Sequence, residues 1–173
     1  MIRILNKIRR TGVVTEAQPA IDDSKLEQIG IRVKRRIDTS FGGSLAIREV
    51  DAGSCNGCEL EIHALNNPYY DIERFGVHFV PSPRHADLLL VTGPVSRHMQ
   101  TALLRTWEAT PAPKFVIAAG ACACDGGEFG VSYASCGAVE NIIPVDVMVP
   151  GCPPTPVNLM LGILAALGKT GIG

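Results

Sequence analysis

Aromatic side chains are scarce in this sequence: five Phe, three Tyr and one Trp make up 5% of it. That excludes a stacking platform for nucleic-acid bases, which needs several rings. A global field for nucleic acid is missing too, since 16 Lys and Arg meet 17 Asp and Glu for a net charge of −1. No apolar run is long enough to cross a bilayer. The best, Val157 to Leu167, has about half of the roughly 18 to 20 residues required, and it follows a proline-rich turn, so it reads as a core helix. Arg9-Arg10 is followed by Thr11-Gly12-Val13-Val14-Thr15-Glu16 and not by an apolar stretch. The pattern is therefore neither a secretory nor a twin-arginine leader, and the expectation is a chain that stays in the cytoplasm. A dinucleotide fingerprint is also lacking, because Gly126-Gly127 does not have the required spacing.

What is present is enough for a core: 173 residues, 46% hydrophobic and only 19% charged, fit one domain of ordinary size. Charge is unevenly placed. Residues 1 to 36 hold nine Lys/Arg against four Asp/Glu, and the remaining 137 hold seven against thirteen. This reads as a basic arm on a mildly acidic body. In the arm, Ile2, Ile4, Leu5 and Ile8 make a short amphipathic turn flanked by Arg3, Lys7, Arg9 and Arg10, fit to lie on a membrane surface or in a partner's groove, or simply to fray. Asp22, Asp23 and Ser24 offer a cap for a helix with Leu26, Ile29, Val33 and Ile37 on one face and Lys34, Arg35 and Arg36 on the other. The division expected is an arm with its amphipathic helix over 1–40 and a folded domain over 41–173.

From Ser44 the pattern is regular. Strands are predicted at 45–50, 75–80, 87–92, 115–119 and 145–149. Helices are predicted over 59–65, from a cap at Ser96 through Trp107, and over 154–167. The run at 87–92 is almost wholly apolar, as in strands covered on both faces. Strands alternating with helices predict an α/β fold with an open, doubly wound parallel sheet.

Three separated pieces carry the informative cysteines. Cys55 and Cys58 follow the first strand, Cys122 and Cys124 the fourth, and Cys152 the fifth. In an open parallel sheet the ligand crevice lies beyond the carboxyl ends of the strands, so all three pieces converge on one edge. Cytoplasmic cysteines are metal ligands or reactive thiols more often than disulfides. A 4Fe–4S cluster takes four thiolates, and Cys-x-x-Cys plus two more supplies them. Glycines at 53, 57, 120, 126, 127 and 151 let backbone approach such a group closely, and Cys152-Pro153 resembles the Cys-Pro ending of ferredoxin motifs. Zinc and a redox-active thiol pair remain alternatives, although zinc ribbons usually use two Cys-x-x-Cys knuckles where this chain has one. For the fourth ligand Cys122, Cys124 and Cys136 compete, and Cys122 is favoured as the first residue of the three after its strand. Beside Cys58, Glu59 and Glu61 are either proton carriers, if buried, or solvated or cap-forming glutamates of a first helical turn.

These residues resemble the small subunit of membrane-associated, energy-conserving nickel–iron hydrogenases of the formate hydrogenlyase type, homologous to the B subunit of NADH:quinone oxidoreductase. The resembling stretches are Ser54-Cys55-Asn56-Gly57-Cys58-Glu59, Tyr70-Asp71-Ile72-Glu73-Arg74-Phe75-Gly76, Pro81-Ser82-Pro83-Arg84-His85-Ala86-Asp87, and Ile143-Pro144-Val145-Asp146-Val147 leading into Pro150-Gly151-Cys152-Pro153-Pro154. The resemblance implies a flavodoxin-like domain that holds one 4Fe–4S cluster on Cys55, Cys58, Cys122 and Cys152. It implies an electron-transfer subunit packed against a large subunit, nickel–iron or degenerate, with a ferredoxin-like iron–sulfur subunit and membrane subunits as further partners. Such a chain would sit peripherally on the cytoplasmic side of the inner membrane. The quinone-reductase branch carries two adjacent cysteines where this chain has Cys-Asn-Gly-Cys, the hydrogenase form. A B-like subunit without hydrogenase activity is the alternative. Arg74, Arg84 and His85 are candidates for tuning a cluster or bridging to a partner, with ordinary surface roles equally open. Asp125 and Glu128 read as turn residues.

Overall fold

The apolar runs fold into five strands: β1 (Leu45–Asp51), β2 (Val77–Phe79), β3 (Leu88–Thr92), β4 (Phe115–Ala119) and β5 (Val147–Val149). All neighbours pair in parallel, in the order β2-β1-β3-β4-β5. This is the flavodoxin-like strand order, whose switch point lies between β1 and β3. The computed structural model describes residues 2–11 and 23–169. Within them the helices are α1 (Ile2–Thr11), α2 (Asp23–Ser40), α3 (Gly57–Ala64), α4 (Gln100–Ala109), α5 (Ala121–Asp125) and α6 (Pro156–Gly168). The expected cap residue Asp22 and the arm residues 12–21 lie outside the described residues.

The period-2 geometry of the strands splits the core into two layers. Leu45 and Ile47 of β1 and Leu88 and Leu90 of β3 point to one face, where Leu26, Val33 and Ile37 of α2, Ile62 of α3 and Ile163 of α6 cover them. Val50, Leu89 and Val91 point to the other face, against Leu103 of α4 and Ala123 of α5. Leu88, Leu89, Leu90 and Val91 are all 1% exposed or less. Each such side chain contributes about 1.5–3 kcal/mol, so the central strand is a large source of hydrophobic stabilisation. Close approach is built in by small residues: a Cβ on Gly30 of α2 would lie 2.1 Å from the Phe75 ring, and one on Gly162 of α6 would lie 2.3 Å from Val149. At the edge opposite the cysteines, Asp87 and Asp146 take up backbone donors of neighbouring strands, Ala46 N at 2.9 Å and Val116 N at 2.8 Å.

Several boundaries differ from expectation. α4 starts at Gln100, four residues after Ser96, whose Oγ accepts from Met99 N at 3.3 Å and so caps the turn that leads into the helix, not the helix itself. The backbone N–H of Ser96 donates to Ala52 O at 2.8 Å, and Ser96 bridges to Ser135. Residues Ile72–Phe75 form a 3₁₀ turn, which leaves β2 only three residues long, and β5 starts at Val147 because Asp146 is engaged with β4. The final helix starts at Pro156, with Thr155 accepting from Asn158 N at 3.3 Å as its cap.

Candidate metal centre

Each loop at the carboxyl edge is wired by its own short side chains. After β1, Asp51 Oδ1 accepts from Gly53 N at 2.8 Å and Ser54 N at 2.7 Å, and Ser54 Oγ accepts from Asn56 N at 3.1 Å. These turns deliver Cys55 and start α3, which carries Cys58. After β4, Gly120 N donates to Val149 O and Ala121 N to Gly151 O, both at 2.8 Å, tying the Cys122 loop to the Cys152 loop. Asp125 Oδ1 accepts from Gly127 N at 2.7 Å, a turn role as expected. Glu128 lies in the 3₁₀ turn Gly127–Phe129.

Cys55, Cys58, Cys122 and Cys152 line one cavity of about 170 Å³, at the edge beyond β1, β3, β4 and β5. Pro94, Phe129 and Pro153 supply its apolar wall. Cys55 and Cys152 are exposed at the mouth, and Cys58 and Cys122 are half-buried. Cys124 and Cys136 are not part of it. Along a helix, residues two apart point about 200° apart, so α5 turns Cys124 away from Cys122. Cys124 donates to Ala118 O at 3.5 Å, and buried Cys136 contacts Gln100 Oε1 at 3.5 Å.

The thiols feel one another. Burial pushes the Cys58 thiol from its ordinary 9.0 up to about 12, reinforced by Glu59, Cys55, Cys122 and Cys152. Cys122 is raised by burial and by Cys152 and Cys55. Four sulfurs in one apolar pocket cannot all ionise without a compensating positive charge, which is the requirement that a metal-containing group meets. Glycine makes the room. A Cβ on Gly120 would lie 2.6 Å from Cys58 Sγ and one on Gly127 2.7 Å from Cys122 Sγ. Among the described residues no three His, Cys, Asp or Glu side chains gather as they would around a single metal ion. The sulfurs instead ring a space several times the roughly 30 Å³ share of a water molecule. All-sulfur donors around such a space, with glycine backbone against the sulfurs, fit a polynuclear iron–sulfur group.

Glu59 is buried, 7% exposed. Thr92 Oγ1 at the end of β3 donates to its Oε1, while Oε2 has no partner. The solvated alternative for Glu59 is thus overturned, because the first turn of α3 lies over the sheet. Glu61 is half-buried and His63 exposed. Glu49 of β1, which the sequence pattern did not single out, is raised by burial and by Glu59, with His63 lowering it. An acid in register with the core-facing Leu45 and Ile47 of β1 was the available signal. Phe129 and Gly93-Pro94 were not singled out either, although Gly93-Pro94 directly follows a strand at the same edge. Arg74 pairs with Glu27 at 3.0 Å and lies 4.6 Å over the Phe75 ring, clamping the 3₁₀ turn to α2. Arg84 and His85 are exposed just before β3, at the edge away from the cysteines.

Comparison with known proteins adds to this geometry. Residues 55–166 match the family described as NADH ubiquinone oxidoreductase, 20 Kd subunit. The chain is 51% identical over 150 residues to formate hydrogenlyase subunit 7 of Escherichia coli strain K12, covering 80% of this chain and 59% of that protein. It thus spans about three fifths of that relative's length. It is 46% identical over 113 residues to the B subunit of NADH-quinone oxidoreductase from Heliobacterium modesticaldum, covering 65% of each. Its fold matches a chain in the structure of the membrane-bound sulfane sulfur reductase, an archaeal respiratory membrane complex. The TM-score is 0.66 at 34% identity, over 86% of this chain and 77% of that one.

Proposed function

The chain belongs to the NADH ubiquinone oxidoreductase, 20 Kd subunit family, and from that membership we propose that it is the electron-relay subunit of a membrane-associated oxidoreductase complex. In this reading it holds one 4Fe–4S cluster on Cys55, Cys58, Cys122 and Cys152 and relays electrons to or from a nickel–iron site in a partner large subunit. The observation that carries the reading is the convergence of those four cysteines, from three loops, on one glycine-walled cavity.

When bound, the cluster supplies one-electron chemistry at a potential set by hydrogen bonds, net charge and exposure. This chain's residues do the rest. Four thiolates anchor the group. Gly120 and Gly127 leave room beside Cys58 and Cys122, and Pro94, Phe129 and Pro153 keep water from the cavity wall. The mouth is open through Cys55 and Cys152, and Phe129, Val131 and Tyr133 in one loop are 65%, 70% and 98% exposed. An apolar collar of this kind is suited to being covered by a partner subunit, which would complete the exclusion of water. Glu59, buried with one oxygen on Thr92 and one free, is placed to hold a proton next to Cys58. Among the described residues no helix is long and apolar enough to cross a membrane, so attachment is assigned to partners and to the chain's surface.

Similarity to the B subunit of a quinone reductase supports a second reading, the same relay in a complex without hydrogenase activity. Nickel in the large subunit of the purified complex separates the two. The relay itself is tested by Cys122→Ser and Cys124→Ser in the assembled complex. The first is expected to stop electron passage from a reduced dye to the complex's acceptor, and the second to leave it unchanged. Undiminished passage in Cys122→Ser contradicts the assignment.

A further inference from the structure

A second groove shares no lining residue with the cysteine cavity. It runs between α2 and α6, encloses about 590 Å³, and is lined by Arg32, Arg35 and Arg36 on one side and Leu161, Leu164 and Ala165 on the other. Among the described residues no acidic side chain lines it. The nearby acid of α2, Asp38, is already paired with Lys34 at 2.5 Å. All three arginines are exposed, and Leu161 is 42% exposed. Three guanidinium groups with no acidic partner among the described residues, set along an apolar wall, match a ligand that presents an anionic oxygen cluster beside hydrocarbon.

A second feature, in α1, points the same way. Ile2, Ile4 and Leu5 are 76%, 65% and 60% exposed, while Arg3, Lys7, Arg9 and Arg10 punctuate the same ten residues. A short helix with this division between apolar and basic residues is built to lie in a lipid–water interface. It is also within reach of the groove. Thr11 and Asp23 are twelve residue steps apart, at most about 40 Å of chain. From Asp23 the groove residues lie roughly 14 to 24 Å along α2. Gly168, at the groove end of α6, is about 18 Å along the helix from Pro156, next to the Cys152 loop. One end of the fold can therefore meet a membrane while the cysteine edge meets a protein partner.

We propose that the arginine groove between α2 and α6 seats the headgroup of an anionic phospholipid, its phosphate on Arg32, Arg35 and Arg36 and its glycerol and acyl edge on Leu161 and Leu164, with α1 lying in the same membrane surface. The groove supplies phospholipid selectivity and α1 supplies apolar insertion. Neither depends on what the cysteines hold.

Flotation of the full chain with phosphatidylcholine vesicles, with and without phosphatidylglycerol, tests the proposal. Partition onto the phosphatidylglycerol vesicles alone is expected, weakening as salt is raised and falling at least about tenfold in Arg32→Gln/Arg35→Gln/Arg36→Gln. Leu161→Asn, which leaves the charge intact, is expected to weaken partition a few-fold. Because these side chains are exposed, circular dichroism should show the variants folded like the parent. Unchanged partition in the triple variant overturns the groove assignment, even if Ile4→Asp/Leu5→Asp abolishes binding. Capture by polyglutamate without partition onto vesicles also overturns it, in favour of an acidic protein surface.

Discussion

Gly120→Ala is the sharpest perturbation of the cysteine cavity, because the structure fixes its consequence from two directions. Gly120 has φ 94° and ψ 154°, a region that residues with a side chain almost never occupy, at a cost on the order of 1–3 kcal/mol. The added methyl would also lie 2.6 Å from Cys58 Sγ and 3.6 Å from Gly151 O. The sulfur or the loop must move, and overpacking of this kind costs about 1–3 kcal/mol more. A combined loss of about 2–6 kcal/mol is a large part of the roughly 5–15 kcal/mol that holds a domain together. Denaturant unfolding of the full chain reads this loss, and iron content of the anaerobically purified protein reads the damage to the site. Gly168→Ala is the control. A Cβ there would meet nothing within 4 Å, so stability should hold or rise by about 0.4–1 kcal/mol. Parental stability and full iron in the Gly120→Ala protein would refute the reasoning that backbone at this point is pressed against a ligating sulfur.

Further outcomes follow from the same site. In metal-free protein, the Cys58 thiol is raised from 9.0 to about 12. The native state therefore keeps a proton that the unfolded chain gives up, so this contribution is complete below pH 9 and is lost as pH rises toward 12. Melting temperature measured across that window should fall, and fall less in Cys58→Ala. Thr92→Val removes the one hydrogen bond to a buried carboxylate and should cost about 1.5–3 kcal/mol by chemical denaturation. Cys122→Ser should lose most of its bound iron and Cys124→Ser keep it, as read by metal analysis, because only Cys122 faces the cavity.

The parts of the fold that were legible in the sequence are those where one physical signal dominates. β3 is apolar at four of five positions, and the structure buries all five residues completely or nearly so. α2 shows its helical face through Leu26, Val33 and Ile37, all of which enter the core. Convergence of the cysteine loops followed from topology, since every crossover in a parallel sheet returns to the same edge. What was not legible has local causes. α5 is a single turn of Ala-Cys-Ala-Cys-Asp, too short for any periodicity, and the cavity lining together with the Cys124 contact to Ala118 O shows which cysteine faces inward. The start of α4 was displaced because Ser96, a good cap by type, caps only the turn at 97–99 ahead of the helix, while its backbone N–H is held by Ala52, distant in sequence. The burial of Glu59 depends on Thr92, 33 residues away on another strand.

The most direct test is quantification of iron and acid-labile sulfide in the anaerobically purified full chain, together with its low-temperature paramagnetic resonance after reduction. About four iron and four sulfide per chain, with a cubane-type signal, are predicted. Stoichiometric zinc without sulfide would contradict the account.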